Sequence, residues 1–591
     1  MADDTRMLER ALAPDMACYG KHLEALVREE NLYGALGKTA ENFDVVDLLL
    51  EIASNYVNVE DFVTSITFGQ VQECLKPYPH AGTKGGRRLV VAPCSPLFTK
   101  VMTDLAGHFD HIVFIDKFRA GVKVAGKTIQ SVDAYKPETG DLCLILTRNT
   151  EAAAGYENMF GQGNFINFLK VYILLKLAHV TDGLPAFMDK VHATEKPILF
   201  SSPRPMGTLS STIRELGRRG FSPFWLGSEE VKEDHQVGYS TPRVTDVAFV
   251  DYQMGGFIDN LRAFINLQHG TVFFHYEAIY PPNWDFNRVA LCYAATIAMI
   301  RTVKEMRDSE AKGKLALYMY DAIKPGVKNY DRGPSCGRLY KTMMQEAEAI
   351  IFSSYTEPFG DFVENAVRKK LPRVHCHRYQ IMPKNRQPRR TDAYHIAIIS
   401  VMLEEFWEPS RMGVVPYLRD LILDGMHIHY YTGNVDHPKL EEFRLSLPED
   451  KRHQFQAYRP IHDLDELSNE LSQYHVGWSL FNMQIFNDTT TYMEDQFTRD
   501  AMELFTPTTL PSVIWTSAAA GLPVVCNRDM RGVVDMLPAG MAIPLTLSEL
   551  GNLKNILDGM DWKAIDAISL ESLDIENQIY KLADFLTGLS A

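Results

Sequence analysis

His275 and Glu277 stand two residues apart in TVFFHYEAIYPPNWDF, at the end of an apolar aromatic run and just before a Pro-Pro turn. Aromatic rings beside a polar pair make a platform for a sugar, and either residue can act there as an acid or a base. A second segment, FTPTTLPSVIWTSAAAGLPVVCNRDMRGVVDML over 505–537, places Pro511 for the first turn of a helix and Gly521 to end it. Between them Ala518, Ala519 and Ala520 are small enough to let the helix approach a ligand or a neighbouring strand. Residues 522–526 then read as a buried strand and 527–532 as the loop at its carboxyl end. His375, Cys376 and His377 alternate on an expected strand, so the two histidines share a face. With no third ligand nearby they predict no metal site.

The elements that must position these residues recur in one pattern. RLVVAPCSPLFTKVMTDLAGHFDHIVFID reads as a strand over 89–92, a Pro-bearing loop, a helix over 97–106 stopped by Gly107, and a strand over 111–115. A further strand is expected at DLCLILT. The cadence returns in KPILFSSPRPMGTLSSTIRELGRRGFSPFWL, with strands at 198–200 and 221–226 and a helix ending before Gly220. It returns again in YHIAIISVMLEEFWEPSRMGVVPYLRDLILDGMHIHYYTG, with strands at 395–401 and 426–431 and a helix between Gly413 and Asp424 that stops at Gly425. Short strands alternating with helices predict parallel sheets. Three such openings predict an α/β protein with three Rossmann-like domains in tandem.

The expected division is a helical N-terminal region over 1–80, a Rossmann-like accessory domain over 85–190, and two further domains over 195–385 and 391–591. The glycine run HAGTKGGRR between the first two lacks the Gly-Lys-Ser/Thr ending of a phosphate loop and reads as a linker. The last two domains are joined by RYQIMPKNRQPRRTDAY. Its basic run, Lys384 to Arg390, reads as a solvated hinge, with contact to an acidic surface or to lipid head groups as the alternative. Asp116 closes the second strand of the accessory domain, where an acidic residue can bind a ribose. The loop APCSPLF lacks the dinucleotide fingerprint glycines, so NAD is not expected and a role in recognition or assembly is.

Composition excludes several classes. The 591 residues are 46% hydrophobic and 23% charged, which is ordinary for globular chains and rules out wholesale disorder. A net charge of -15 opposes general nucleic-acid binding. Eight cysteines without a CxxC pair argue against a disulfide scaffold or structural zinc, and for a reduced, cytoplasmic compartment. MADDTRMLERALAPDM has no apolar core for a signal peptide. FINFLKVYILLKLAHV is interrupted by Lys170 and Lys176, and VALCYAATIAMI is too short, so neither is expected to cross a bilayer.

Two open α/β sheets facing across a hinge form a cleft whose helix N-termini suit a diphosphate. From about Lys196 to Leu557 the chain resembles GT-B glycosyltransferases, especially the large retaining group that builds polysaccharides and glycoconjugates. The resemblance is carried by the Gly207 loop, YTGN over 431–434, AYRPIHDLDELSNELSQYHVGWSLF over 457–481, and AAGLPVV over 519–525. It implies a GT-B fold preceded by the helical cap and the third Rossmann-like domain. It also implies transfer of a sugar, hexosyl in type and without metal or other cofactor, from a nucleoside-diphosphate donor to a glycan, lipid-linked or protein acceptor. Nucleic acid is not an expected partner, while peripheral membrane contact and self-association are left open.

The resemblance also assigns roles. Gly207 lets a phosphate approach backbone, and Arg411 neutralises the donor diphosphate, with Arg459 and Arg528 as second choices. Thr432, Gly433 and Asn434 face the nucleotide, and Asp321, beside the cleft, joins His275 and Glu277 as a catalytic candidate. Family members usually carry a glutamate four or five residues before the glycine of AAGLPVV, on the donor ribose. Thr516 or Ser517 fills that place here, and Val513 stands where related members have a lysine. Asp495 and Glu503 keep the spacing of the family's paired acidic residues but lie upstream of the expected place. Thr516, Ser517 and Asn527 would supply neutral hydrogen bonds in place of the carboxylate, each weaker by about 1–2 kcal/mol. The rival expectation is a non-catalytic carbohydrate-binding or assembly protein on a degenerate transferase frame. A nucleotide-sugar epimerase would need acidic and histidine residues converging on one carbon, and no such set is evident.

Overall fold

The computed structural model describes residues 14–35, 49–50, 54, 59–178, 181–201, 207–228, 245–250, 256–267, 272–276, 286–306, 313–319, 336–353, 355–376, 382, 385–399, 415–433, 435–461, 463–481 and 496–590. They form two compact units, residues 1–182 with 251–261, and 183–250 with 262–591.

In the first unit the strands are β1 (Arg88–Ala92), β2 (Ile112–Asp116), β3 (Lys123–Val124), β4 (Lys127–Thr128), β5 (Gln130–Ser131), β6 (Asp141–Ile145) and β7 (Phe165–Asn167). β3 and β4 form a small antiparallel ribbon. The others make a parallel sheet in the order β5-β2-β1-β6-β7. Its central strands are apolar except at their ends, where Arg88, Asp116 and Asp141 stand, because helices cover both faces. Val90, Ile115, Cys143 and Ile145 pack with Ala153, Tyr156 and Phe160 of the helix Thr150–Phe160. At the amino edge the Arg88 guanidinium meets both oxygens of the buried Asp141, at 2.8 and 3.0 Å, and Tyr135 donates to the same carboxylate at 2.6 Å. Burial alone would raise the Asp141 pKa, but Arg88, Tyr135 and the Glu138 amide outweigh it and hold the carboxyl below its ordinary value.

Gly107, expected as a helix stop, lies inside the helix Thr99–His108. The following residues carry the turn on, because Phe109 is buried and the His108 ring packs on Phe68 at 4.6 Å.

The second unit holds two parallel sheets. The seven-stranded one comprises β8 (Pro197–Ser201), β9 (Ser222–Ser228), β10 (Asp246–Val250), β11 (Val272–Tyr276), β12 (Lys314–Met319), β13 (Ala349–Phe352) and β14 (Arg373–His375), in the order β10-β9-β8-β11-β12-β13-β14. The six-stranded one comprises β15 (His395–Ile399), β16 (His427–Tyr431), β17 (Phe455–Tyr458), β18 (Val476–Ser479), β19 (Val524–Asn527) and β20 (Ala542–Leu545), in the order β17-β16-β15-β18-β19-β20. Each runs outward from its first strand to the third on one side and from the fourth onward on the other, the doubly wound order. The fold is mixed α/β with parallel sheets, two of which, each doubly wound, lie in this unit.

The last helix, Ile575–Ser590, returns from the six-stranded sheet to pack on β14 and on the helix Gly207–Arg218. Ile579, Leu582 and Leu586 are buried there in a core shared with Trp225 and Trp515. Each such side chain contributes about 1.5–3 kcal/mol. Glu576 ties the helix down by accepting from Arg218 at 2.7 Å, while its carbonyl accepts from Arg219 at 2.7 Å.

The described part of the basic run before β15 is exposed, as its composition predicts, except at Arg389. Arg389 lies over the Trp562 ring at 5.1 Å, donates to the carbonyls of Tyr474 and Gly521, each at 2.9 Å, and pairs with Asp566 at 2.8 Å. Gly521 has φ +83°, and a Cβ there would also sit 2.9 Å from the Arg386 guanidinium carbon. The positive φ is what calls for glycine at 521, since the exposed Arg386 side chain is able to swing aside. The strand expected over 522–526 begins at Val524, since Pro523 has no amide hydrogen for the ladder. Asn527 is its last residue rather than the start of a loop, and a helix, Arg531–Met536, takes up the far end of that expected loop.

Candidate functional site

In doubly wound sheets a ligand lies at the carboxyl edge where the strand order reverses. In the six-stranded sheet that point is β15, between β16 and β18. On one side β16 runs out through Tyr431 into Thr432 and the exposed Gly433. On the other β18 ends at Ser479, followed by Leu480 and Phe481, with Asn527 and Arg528 at the end of β19.

Three buried polar groups at this edge have no hydrogen-bond partner among the described residues. They are the Thr432 hydroxyl, 0% exposed, the Ser479 hydroxyl, 2% exposed, and the Trp478 indole N–H, 5% exposed. A buried polar group left unpaired costs about 1–3 kcal/mol. They lie on both flanks of the switch strand. Alternation alone could not have revealed them, because VGWSLF reads simply as an apolar strand.

Asn527 holds the same edge in shape. Its Oδ1 accepts from the Phe481 amide at 2.8 Å and its Nδ2 donates to the Phe481 carbonyl at 2.7 Å. The side-chain amide therefore grips the backbone leaving β18. Thr516 and Ser517 lie in the helix Ser512–Ala519, and both are buried. The Thr516 hydroxyl donates to the Ser512 carbonyl at 3.3 Å. The Ser517 hydroxyl lies against β18, where a Cβ on Gly477 would fall 2.3 Å from it. Gly477 is thus the residue that lets this helix seat on the sheet.

Arg528 is half-exposed and pairs with Glu549 at 2.7 Å. Arg459 is exposed, 3.8 Å from Asp436. In the seven-stranded sheet Gly207 is the first residue of the helix that follows β8. His275 lies in β11, paired in register with Ser201 and Leu317. Glu277, Asp321, Arg411 and Asn434 lie outside the described residues, as does His377. His375 is turned inward. Its Nδ1 is 2.7 Å from the Tyr355 carbonyl, its Nε2 is 3.2 Å from Glu357, and its ring stacks on Phe352.

Cysteine chemistry has little support at this edge. Burial pushes the Cys526 thiol up to about 12, so it stays protonated. A cavity beside Cys376, lined by His375, Ile579 and Leu582, measures about 10 Å³, room for no more than one water.

No family model matches the chain, and no curated protein matches it. Solved structures do. A trehalose-6-phosphate structure from E. coli, bound with UDP-2-fluoro glucose, matches at 11% identity over 66% of this chain and 99% of that one, with a TM-score of 0.41. A UDP-forming alpha,alpha-trehalose-phosphate synthase from Burkholderia xenovorans matches at 11% identity over 67% and 99%, also at 0.41. A chain of the GtfA/B complex matches at 10% identity over 57% and 61%, at 0.37. The chain thus spans about three fifths of the GtfA/B chain and nearly the whole of the two trehalose-related chains. These are likenesses of structure at low identity.

Proposed function

We propose that the second unit is a glycosyltransferase of the GT-B kind, which moves a sugar from a nucleoside-diphosphate donor to a glycan, lipid-linked or protein acceptor. The observation that carries this reading is the carboxyl edge of the six-stranded sheet. Buried, unpaired donors flank the strand where the order reverses, and Asn527 holds the backbone beside them. The donor's diphosphate would be met by backbone amides and by arginine, with Arg528 or Arg459 turning in from solvent and Arg411 as the principal candidate. Thr432, Gly433 and Asn434 would face the nucleotide, and Gly207 would admit a phosphate or the acceptor from the other sheet. His275, Glu277 and Asp321 are the candidates for proton transfer to or from the acceptor. The reaction would be hexosyl transfer without metal and would run in the cytoplasm. Among the described residues no helix is long and apolar enough to cross a membrane.

A second reading is a non-catalytic carbohydrate-binding protein on the same frame, and one observation favours it. The place of the family's ribose-binding glutamate is taken by Thr516 and Ser517, whose hydroxyls face the Ser512 carbonyl and Gly477. Thermal unfolding of the full chain with UDP, GDP, ADP and their sugar conjugates separates the readings. One nucleotide at a hundred times its dissociation constant should stabilise the fold by about 2.7 kcal/mol. Release of nucleoside diphosphate from the matching nucleotide sugar then supports the transferase. Binding without release supports the second reading, and a chain that binds none of the panel defeats both.

A further inference from the structure

The amino edge of the six-stranded sheet, opposite the edge just described, gathers a second set of polar side chains. β15 begins at His395 and β16 at His427, and the two residues are direct partners in the parallel ladder, so their side chains leave one face. β16 reads His-Ile-His-Tyr-Tyr, and alternation puts His427, His429 and Tyr431 on that face. Asp392 brings its Oδ1 to 3.0 Å from His395 Nε2. One ligand atom each from Asp392, His395 and His427 lies within 4.8 Å of the other two.

The hydrogen bonds behind these residues favour Nδ1 as the nitrogen of a neutral His395 that carries its proton. Gln456 gives its amide N–H to the His453 carbonyl at 3.4 Å, so its Oε1 accepts from the Tyr458 hydroxyl. A phenol has one proton to give, and Tyr458 oxygen must therefore accept from His429 Nδ1, 3.1 Å away. His429 is left with a bare Nε2, which requires the proton of His395 to sit on Nδ1, at 2.7 Å. In a neutral His395 the Nε2 then turns its lone pair towards the Asp392 carboxylate at 3.0 Å, a pair that either a second proton or a metal ion brings together.

We propose that Asp392, His395 and His427 bind a divalent transition metal of the zinc type through two imidazoles and one carboxylate. The ligand set suits such an ion, and the Nδ1–H of His395, given to His429, is the outer hydrogen bond that orients a metal-bound imidazole. Neighbouring ligand atoms of a tetrahedral zinc lie about 3.3 Å apart, so closing the site asks for inward movement of about 1 Å. Asp392, 64% exposed, is free to supply it and leaves the solvent side open to water.

The test uses the full-length chain stripped with a chelator and titrated with Zn2+ by calorimetry, then with Co2+ followed by visible absorption. One saturable site per chain is expected, with Asp392→Ala and His427→Ala each weakening it at least tenfold. Tyr458→Phe, which leaves every ligand in place, should weaken it by a smaller factor. Asp392 is exposed, so its variant reports on the site even if His427→Ala folds poorly. The proposal is overturned by the absence of one-to-one binding, by binding that survives Asp392→Ala, or by a thiolate charge-transfer band that assigns the metal to cysteine.

Discussion

The five-stranded sheet of the first unit and the six-stranded sheet of the second share a strand order, yet their carboxyl edges are finished in opposite ways. In the first, Asp116 ends β2 and is 4% exposed. Its carboxylate accepts from the amides of Cys94 at 2.8 Å, Phe118 at 2.7 Å and Arg119 at 3.0 Å. Arg119 in turn donates to the Cys94 carbonyl at 2.6 Å. The edge is closed by its own groups. In the second, Thr432, Ser479 and Trp478 are buried and unpaired among the described residues. The same topology thus yields a self-satisfied edge in one place and a receptive one in the other, and partner-finding rather than fold makes the difference. An acidic residue at the end of a second strand is no sign of ribose binding once its own loop occupies it.

The contrast can be broken most forcefully at Asp116. Asp116→Ala strands three amides and should destabilise the first unit by about 3–5 kcal/mol, seen as a lowered urea midpoint and faster hydrogen exchange over 94–119. A variant as stable as the parent would mean that the edge is not self-closed. Next in size is Asp141, at the amino edge of the same sheet. Its folded pKa is depressed, so its stabilisation is present above its unfolded value and is lost as pH falls through the folded one. Unfolding free energy of the first unit should drop below about pH 4, and Asp141→Asn should abolish that slope and cost about 3 kcal/mol. Acid titrations that superimpose for parent and variant would remove Asp141 from the account.

Asn527→Leu comes third. It keeps the volume but releases the Phe481 peptide, with an expected loss of about 2 kcal/mol and of nucleotide affinity by about tenfold. A loss of stability with unchanged affinity would confine Asn527 to the scaffold. The smallest effect on stability is expected where the edge is receptive. Thr432→Val and Ser479→Ala delete hydroxyls that hold nothing, so each should raise the unfolding free energy, by about 1 kcal/mol. Nucleotide binding measured by calorimetry should nevertheless weaken about fivefold. A cost above 2 kcal/mol without ligand would show that these hydroxyls serve the fold.

Much of the scaffold was legible from local pattern. Apolar runs bounded by glycine and proline mark β1, β8 and β19, and the stops at Gly425 and Gly521 carry φ of +91° and +83°. The site was legible only in part. Gly433 and Thr432 could be placed at a strand end from YTGN, but nothing in VGWS distinguishes the unpaired Ser479 from a packed one. Thr516 and Ser517 read as neutral donors, and only the packing shows one bonded back to Ser512 and the other set against Gly477. The histidine set was visible as the alternation in HIHYY, yet its meaning waited on His395 arriving beside it from another strand.

From the chain alone came what backbone geometry repeats every few residues: the strand-helix cadence, the parallel class, the glycine stops. What folding added was the pairing of polar groups across long intervals. Arg389, on a segment that reads as a hinge, reaches Asp566 from 177 positions away, and Asp116 turns back to an amide 22 positions earlier. The physical reason is one of range. Periodicity is written in neighbouring residues, whereas whether a buried hydroxyl, carboxylate or imidazole is satisfied depends on atoms brought near it by the whole of the packing.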